Sequence, residues 1–136
     1  MIIRKRLMFV FGTRPEAIKL APLIHALRAD PSFEVTTCTS SQHRELLSPM
    51  LSFFGLGVDI DLGVMTPGQT LAGVTTKVLQ GIGRSLEEHP QDLVIVQGDT
   101  TTAFATGLAA FYAHTRLAHV EAGLRSGDLA RPFPEE

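Results

Sequence analysis

Leu93-Val94-Ile95-Val96, followed by Gln97-Gly98-Asp99-Thr100-Thr101, decides the fold. An unbroken run of branched apolar residues reads as a strand buried on both faces, the kind found in parallel sheets. Gly98 and the Asp/Thr cluster turn that strand into a helix, rich in Ala and Thr, over about 101–113. Strand, polar turn and helix in that order predict an α/β unit.

The same grammar recurs outward from this stretch. Residues 7–11 form a second apolar run, closed by Gly12. Thr13 and Glu16 then have capping-box spacing, with Pro15 in the first turn, where a missing N–H costs little. Ile18, Leu20, Leu23, Ile24 and Leu27 give the helix its apolar surface, and Asp30-Pro31 ends it. Pro22 inside it should kink the helix or delay its regular part. Residues 34–39 read as a strand and 42–54 as a helix, with Leu47, Met50, Leu51 and Phe54 on one side, Pro49 as a disturbance and Gly55 as the stop. Residues 55–69 read as a loop. Leu71, Val74, Val78, Ile82 and Leu86 place a helix over 70–86. Residues 116–121 make the last strand, and the polar, Gly/Pro-rich segment after Glu121 has no periodicity.

The order β-α-β-α-α-β-α-β predicts a doubly wound parallel sheet, Rossmann-like, with spatial strand order 2-1-3-4. The winding then reverses between the first and third strands, and such sheets bind ligands at that point, beyond the carboxyl ends of the strands.

Composition narrows the function. The length of 136 residues suits one domain, and 44% hydrophobic with 19% charged residues suits a packed core rather than a disordered chain. A net charge of −2 gives no electrostatic argument for nucleic acid. No stretch approaches the ~20 apolar residues of a membrane span, so no membrane partner is expected. The basic start Arg4-Lys5-Arg6 precedes too short an apolar run for a signal peptide. The lone Cys38 fits a reducing, cytoplasmic setting and reads as a small buried strand residue. The chain has no P-loop, no complete G-x-G-x-x-G, no Cys/His set with metal spacing and no serine nucleophile elbow. Neither a metal nor a cofactor is therefore expected.

The remaining chemistry gathers at the strand ends. Gly12, Thr13, Arg14 and Lys19 follow the first strand; Gly98, Asp99, Thr100, Thr101 and Thr102 follow the third; His119 and Glu121 close the fourth, with Arg125 and Asp128 beyond. Helix amino termini and cations attract phosphate, and paired carboxylates serve acid–base chemistry when their surroundings separate their pKa values. Plainer readings stand beside these. Asp99 ahead of three threonines is also an ordinary helix start, Glu16 reads as a cap rather than a catalyst, Arg14 as a solvated surface residue, and His119 as a satisfied core histidine. A carboxylate directly after a buried strand, as Glu121 is, points more strongly to function. The residues alone lead to an α/β domain for a phosphorylated ligand, with acid–base catalysis as the next step.

Phe11-Gly-Thr-Arg-Pro-Glu-Ala-Ile-Lys19, Gln42-His-Arg-Glu45, Met65-Thr-Pro-Gly-Gln69, Gly98-Asp-Thr-Thr-Thr102, His119-Val-Glu-Ala-Gly-Leu-Arg125 and Pro132-Phe-Pro-Glu-Glu136 go further. In this order and spacing they resemble the bacterial non-hydrolysing UDP-N-acetylglucosamine 2-epimerases over essentially the whole chain. Arg14-Pro15-Glu16 sets it apart from the hydrolysing relatives, which carry Arg-Ala-Asp there. The resemblance implies the amino-terminal half of a GT-B fold, two Rossmann-like domains facing a cleft. It implies interconversion of UDP-N-acetylglucosamine and UDP-N-acetylmannosamine without an added redox cofactor, by elimination of UDP to 2-acetamidoglucal and re-addition. By motif, Asp99, Glu121 and Glu135 are the catalytic carboxylates. The resemblance implies that Arg14 and Lys19 stabilise the diphosphate or orient the carboxylates, that Thr101 and Thr102 also serve the diphosphate, and that Gln42, His43 and Gln69 touch a second, regulatory UDP-N-acetylglucosamine. The partners implied are UDP-N-acetylglucosamine, UDP and a second subunit of a cytoplasmic homodimer.

Residues 1–136 end within a motif, a poor domain boundary. The expectation is an amino-terminal domain whose carboxy-terminal UDP-binding partner is absent, inactive alone and exposing apolar surface. A non-catalytic binding domain for a phosphorylated ligand and an inert truncated remnant are the alternatives.

Overall fold

The computed structural model describes residues 3–41 and 44–136. Its elements are β1 (Lys5–Phe11), α1 (Arg14–Ala29), β2 (Phe33–Thr39), α2 (Arg44–Phe53), β3 (Ile60–Asp61), α3 (Leu71–Glu88), β4 (Leu93–Gln97), α4 (Thr101–Tyr112) and β5 (Arg116–Val120). All neighbouring strands are parallel, in the order β3-β2-β1-β4-β5.

The alternation of side chains along β1 explains the two layers of helices. Leu7, Phe9 and Phe11 point to one face, where they meet Ala17, Leu20, Ala21 and Ile24 of α1 and Leu47 of α2. Met8 and Val10 point to the other, against Val74, Val78 and Ile82 of α3 and the alanines of α4. A strand covered on both sides must be apolar throughout, which is why 7–11 and 93–96 read as continuous runs. Cys38 is buried among these residues, and burial pushes its thiol pKa up to about 12, so it packs as a small apolar side chain.

Three expectations need correction. The segment 55–69 is not wholly loop: Ile60 and Asp61 pair with Cys38 and Thr39, adding a fifth, edge strand beyond β2. Pro22 does not delay the regular part of α1, which starts at Arg14 and runs to Ala29. Pro22 lies on the exposed side, so the carbonyl of Ile18 that loses its helical donor can face water. His119 is exposed rather than a core residue.

The outward side of α4 and β5 presents Phe104, Phe111, Tyr112 and Leu117 to solvent, the apolar surface expected of this chain. Among the described residues no helix is long and apolar enough to cross a membrane.

Candidate functional site

At the carboxyl ends of the strands the ladder is shortest where the winding reverses. β1 and β2 stay paired as far as Phe11 and Thr39, and β4 and β5 as far as Gln97 and Val120. β1 and β4 part earlier, with Phe9 and Ile95 their last pair. No ladder pairing therefore joins the turn after β1 to the turn after β4, at the point where the strand order reverses.

On one side of it, Thr13 is the N-cap of α1. The Glu16 carboxylate reaches back to accept from the N–H of Gly12 at 2.9 Å and of Thr13 at 2.7 Å, and from the Thr13 hydroxyl at 2.7 Å. The cap expected from the Thr13/Glu16 spacing is thus real, but Glu16 is also 1% exposed. Burial raises its pKa above the usual range, and the hydrogen bonds from Thr100, Thr13 and Gly12 only partly offset that. Arg14 is exposed at the start of α1 and makes no hydrogen bond or ion pair among the described residues.

On the other side, Gly98 takes φ +71°, which lets β4 break sharply into the turn. The Thr100 hydroxyl caps α4 by accepting from the Ala103 N–H at 3.1 Å. Thr102 is buried with its hydroxyl 2.8 Å from that of Ser40, so it faces the interior rather than the rim. Asp99 is half-buried and has no hydrogen bond or ion pair among the described residues.

Beyond β5, Glu121 adopts φ +56°, unusual for a residue with a side chain. Its Oε2 accepts from Lys19 Nζ at 2.5 Å and from Gln97 Nε2 at 2.6 Å. One carboxylate just past β5 thus gathers groups from α1 and β4. The Lys19 ammonium, through its hydrogen bond first, holds the Glu121 pKa below the usual carboxylate range. Gln97, buried at 4%, was not singled out from the sequence; its signal is an amide ending an otherwise apolar strand.

A cavity of about 690 Å³ lies between α4, β5 and the final segment. Asp99, Thr101, His119, Arg125 and Glu135 supply polar lining, and Phe104, Leu117 and Phe133 apolar lining. His119 Nε2 lies 2.6 Å from the Gly98 carbonyl, joining the wall of the cavity to the β4 turn. Glu136, also missed from the sequence, closes the loop before it by accepting from the N–H groups of Ser126 and Gly127, each at 2.9 Å.

The predicted site residues therefore fall into groups. Asp99, Thr101 and Glu135 share the cavity. Lys19 and Glu121 form a separate pair on the same rim, and Arg14 stands at the neighbouring helix start. Gln69 is elsewhere, in the loop before α3, where its Oε1 accepts from the Thr66 hydroxyl at 3.1 Å and from Lys77 at 3.5 Å. Gln42 and His43 lie outside the described residues. No group of three or more His, Cys, Asp or Glu among the described residues could hold a metal ion.

The family model for UDP-N-acetylglucosamine 2-epimerase matches residues 25–136. The chain belongs to that family. It is 53% identical to the UDP-N-acetylglucosamine 2-epimerase of Escherichia coli K12 over 131 residues, which are 96% of this chain and 35% of that protein. The structure of UDP-GlcNAc 2-epimerase from Neisseria meningitidis bound to UDP-GlcNAc superposes with a TM-score of 0.89 at 46% identity, covering 96% of this chain and 36% of that one. The enzyme from Methanocaldococcus jannaschii, solved with UDP-GlcNAc and UDP, gives 0.88 at 36% identity over 96% of this chain and 36% of that one. This chain thus spans about a third of the length of the epimerases it matches. They form a family of isomerases with GT-B architecture, and this chain has the fold of one Rossmann-like half.

Proposed function

We propose that residues 1–136 form the amino-terminal domain of an epimerase that interconverts UDP-N-acetylglucosamine and UDP-N-acetylmannosamine. The observation that carries this reading is the convergence of Glu121, Lys19 and Gln97, from three separate elements, on one rim in a chain of this family.

The reaction has no net redox change. In elimination the C2–H bond breaks, its proton passes to a carboxylate, and the C1–O bond breaks with its electron pair leaving on the diphosphate, giving 2-acetamidoglucal. In re-addition a proton is delivered to the opposite face of C2 while a UDP oxygen bonds to C1. The first step needs a base, the second an acid on the other face, and both need cations for the diphosphate. Asp99, Glu121 and Glu135 are the carboxylates for these tasks. Lys19 and Arg14 face the diphosphate, and Thr101 offers a hydroxyl beside Asp99. Glu121, held ionised by Lys19, suits proton acceptance over donation at neutral pH. Gln69, with Gln42 and His43, belongs in this reading to a second, regulatory substrate site. A second Rossmann-like domain supplies the uridine contacts, and the whole protein works as a cytoplasmic homodimer without a cofactor.

Two comparisons test the reading. The full-length protein should convert UDP-N-acetylglucosamine while purified 1–136 should not. Asp99→Asn in the full-length protein should lower turnover by roughly 10²–10⁴-fold with substrate binding retained. Turnover by 1–136 alone would refute the two-domain requirement, and undiminished turnover by the Asn variant would make the domain a binding module at this position.

A further inference from the structure

Among the described residues Glu16 is the one buried carboxylate, and the proton chemistry above does not use it. A carboxylate taken from water is costly unless its lone pairs are hydrogen-bonded. Three of its partners are local: Gly12 and Thr13 satisfy Oε2, which is all a helix cap requires. The fourth is not. Thr100, 84 positions along the chain, donates its hydroxyl to Oε1 at 2.7 Å.

That hydrogen bond joins the turn after β4 to the head of α1. The β1–β4 ladder stops at Phe9 and Ile95, so no backbone pairing fixes the distance between the Gly12–Thr13 turn and the Asp99–Thr100 turn. The Thr100 oxygen meanwhile accepts from the Ala103 N–H. A continuous polar path thus runs from the backbone at the head of α1, through Glu16 and the Thr100 hydroxyl, into the first turn of α4. Arg14 and Lys19 are rooted in α1, directly after the first turn; Asp99 is rooted in the second turn.

We propose that Glu16 and Thr100 are positioning residues, a brace across the strand-order switch point that sets how far the cations of α1 stand from the Asp99 carboxylate. The brace rests on the function proposed above only for its catalytic consequence. Its mechanical part is a property of this fold. A side chain displaced by about 1 Å can cost on the order of 10²-fold in rate, so a brace of this kind should show in turnover.

The test uses Thr100→Val, which keeps the shape and deletes the hydroxyl, and Thr100→Ser, which restores it. Amide hydrogen exchange is followed at Gly12, Thr13 and Ala103 in the full-length protein. A residue that only caps α4 would speed exchange at Ala103 alone. The brace predicts faster exchange at Gly12 and Thr13 as well in Thr100→Val, returning to normal in Thr100→Ser. Turnover should fall about tenfold or more in Thr100→Val, with KM changed by less than about threefold, and should recover in Thr100→Ser. Unchanged exchange at Gly12 and Thr13 overturns the brace. Loosened exchange with full turnover overturns its catalytic role. A wild-type protein without epimerase turnover refutes the function proposed above, and the exchange measurement then decides the brace by itself.

Discussion

Glu16 and Glu121 stand on the same rim of the sheet, one in the first turn of α1 and the other just past β5, in surroundings of opposite character. Glu16 is sealed from water and met only by neutral donors, and its pKa moves up. Glu121 keeps 38% of its side chain exposed, meets a lysine, and its pKa moves down. Burial with neutral hydrogen bonds makes an acid part of the framework. Exposure beside a cation keeps an acid ionised and within reach of a ligand. Two glutamates at one site can therefore be sorted by surroundings that their sequence contexts do not reveal.

The largest effect that bears on this contrast is catalytic. Glu121→Gln keeps the shape of the side chain and removes the anion, so turnover should drop by roughly 10²–10⁴-fold with the fold intact. Steady-state kinetics alongside a circular dichroism spectrum checks this. A folded variant with near-normal kcat would remove Glu121 from the chemistry.

A smaller effect concerns pH. Glu121 has a folded pKa below the ordinary 4.5, so its stabilising contribution is present above that value and is lost as pH falls through the lowered one. Glu16 has a folded pKa above 4.5, so its contribution is complete below 4.5 and is lost as pH rises through the raised value. Denaturant titrations at several pH values should therefore separate two variants. The stability gap between wild type and Glu16→Gln should narrow as pH rises above 4.5 through the raised value. The gap for Glu121→Gln should widen as pH rises through the lowered value towards 4.5. Gaps that move in the same direction would erase the distinction.

Much of this was legible along the chain. Strands buried on both faces cannot alternate with polar residues, so 7–11 and 93–96 announced themselves, and with them the reversal of winding that places the rim. The Thr13/Glu16 spacing announced a cap because a cap is local. What was hidden is non-local or too short. Ile60–Asp61 is a two-residue strand with no room for a period. The Glu16–Thr100 contact joins residues whose separation leaves no spacing signal. Gln97 matters only because β5 brings Glu121 beside it. That Pro22 can sit inside α1 depends on its facing water, a tertiary fact. The division of the candidate acids into a cavity group and a lysine-paired group is likewise a matter of packing. The catalytic roles proposed for Asp99, Glu121 and Glu135 rest on the resemblance, since residue types alone reached no further than a phosphate-binding rim with carboxylates suited to acid–base chemistry.

Proton removal at C2 of the sugar is the central claim, and solvent isotope incorporation measures it directly. Full-length protein incubated with UDP-N-acetylglucosamine in D₂O should place deuterium at C2 of the UDP-N-acetylmannosamine formed. Product that carries its original C2 hydrogen would contradict elimination and re-addition, and with it the use of the rim carboxylates as acid and base.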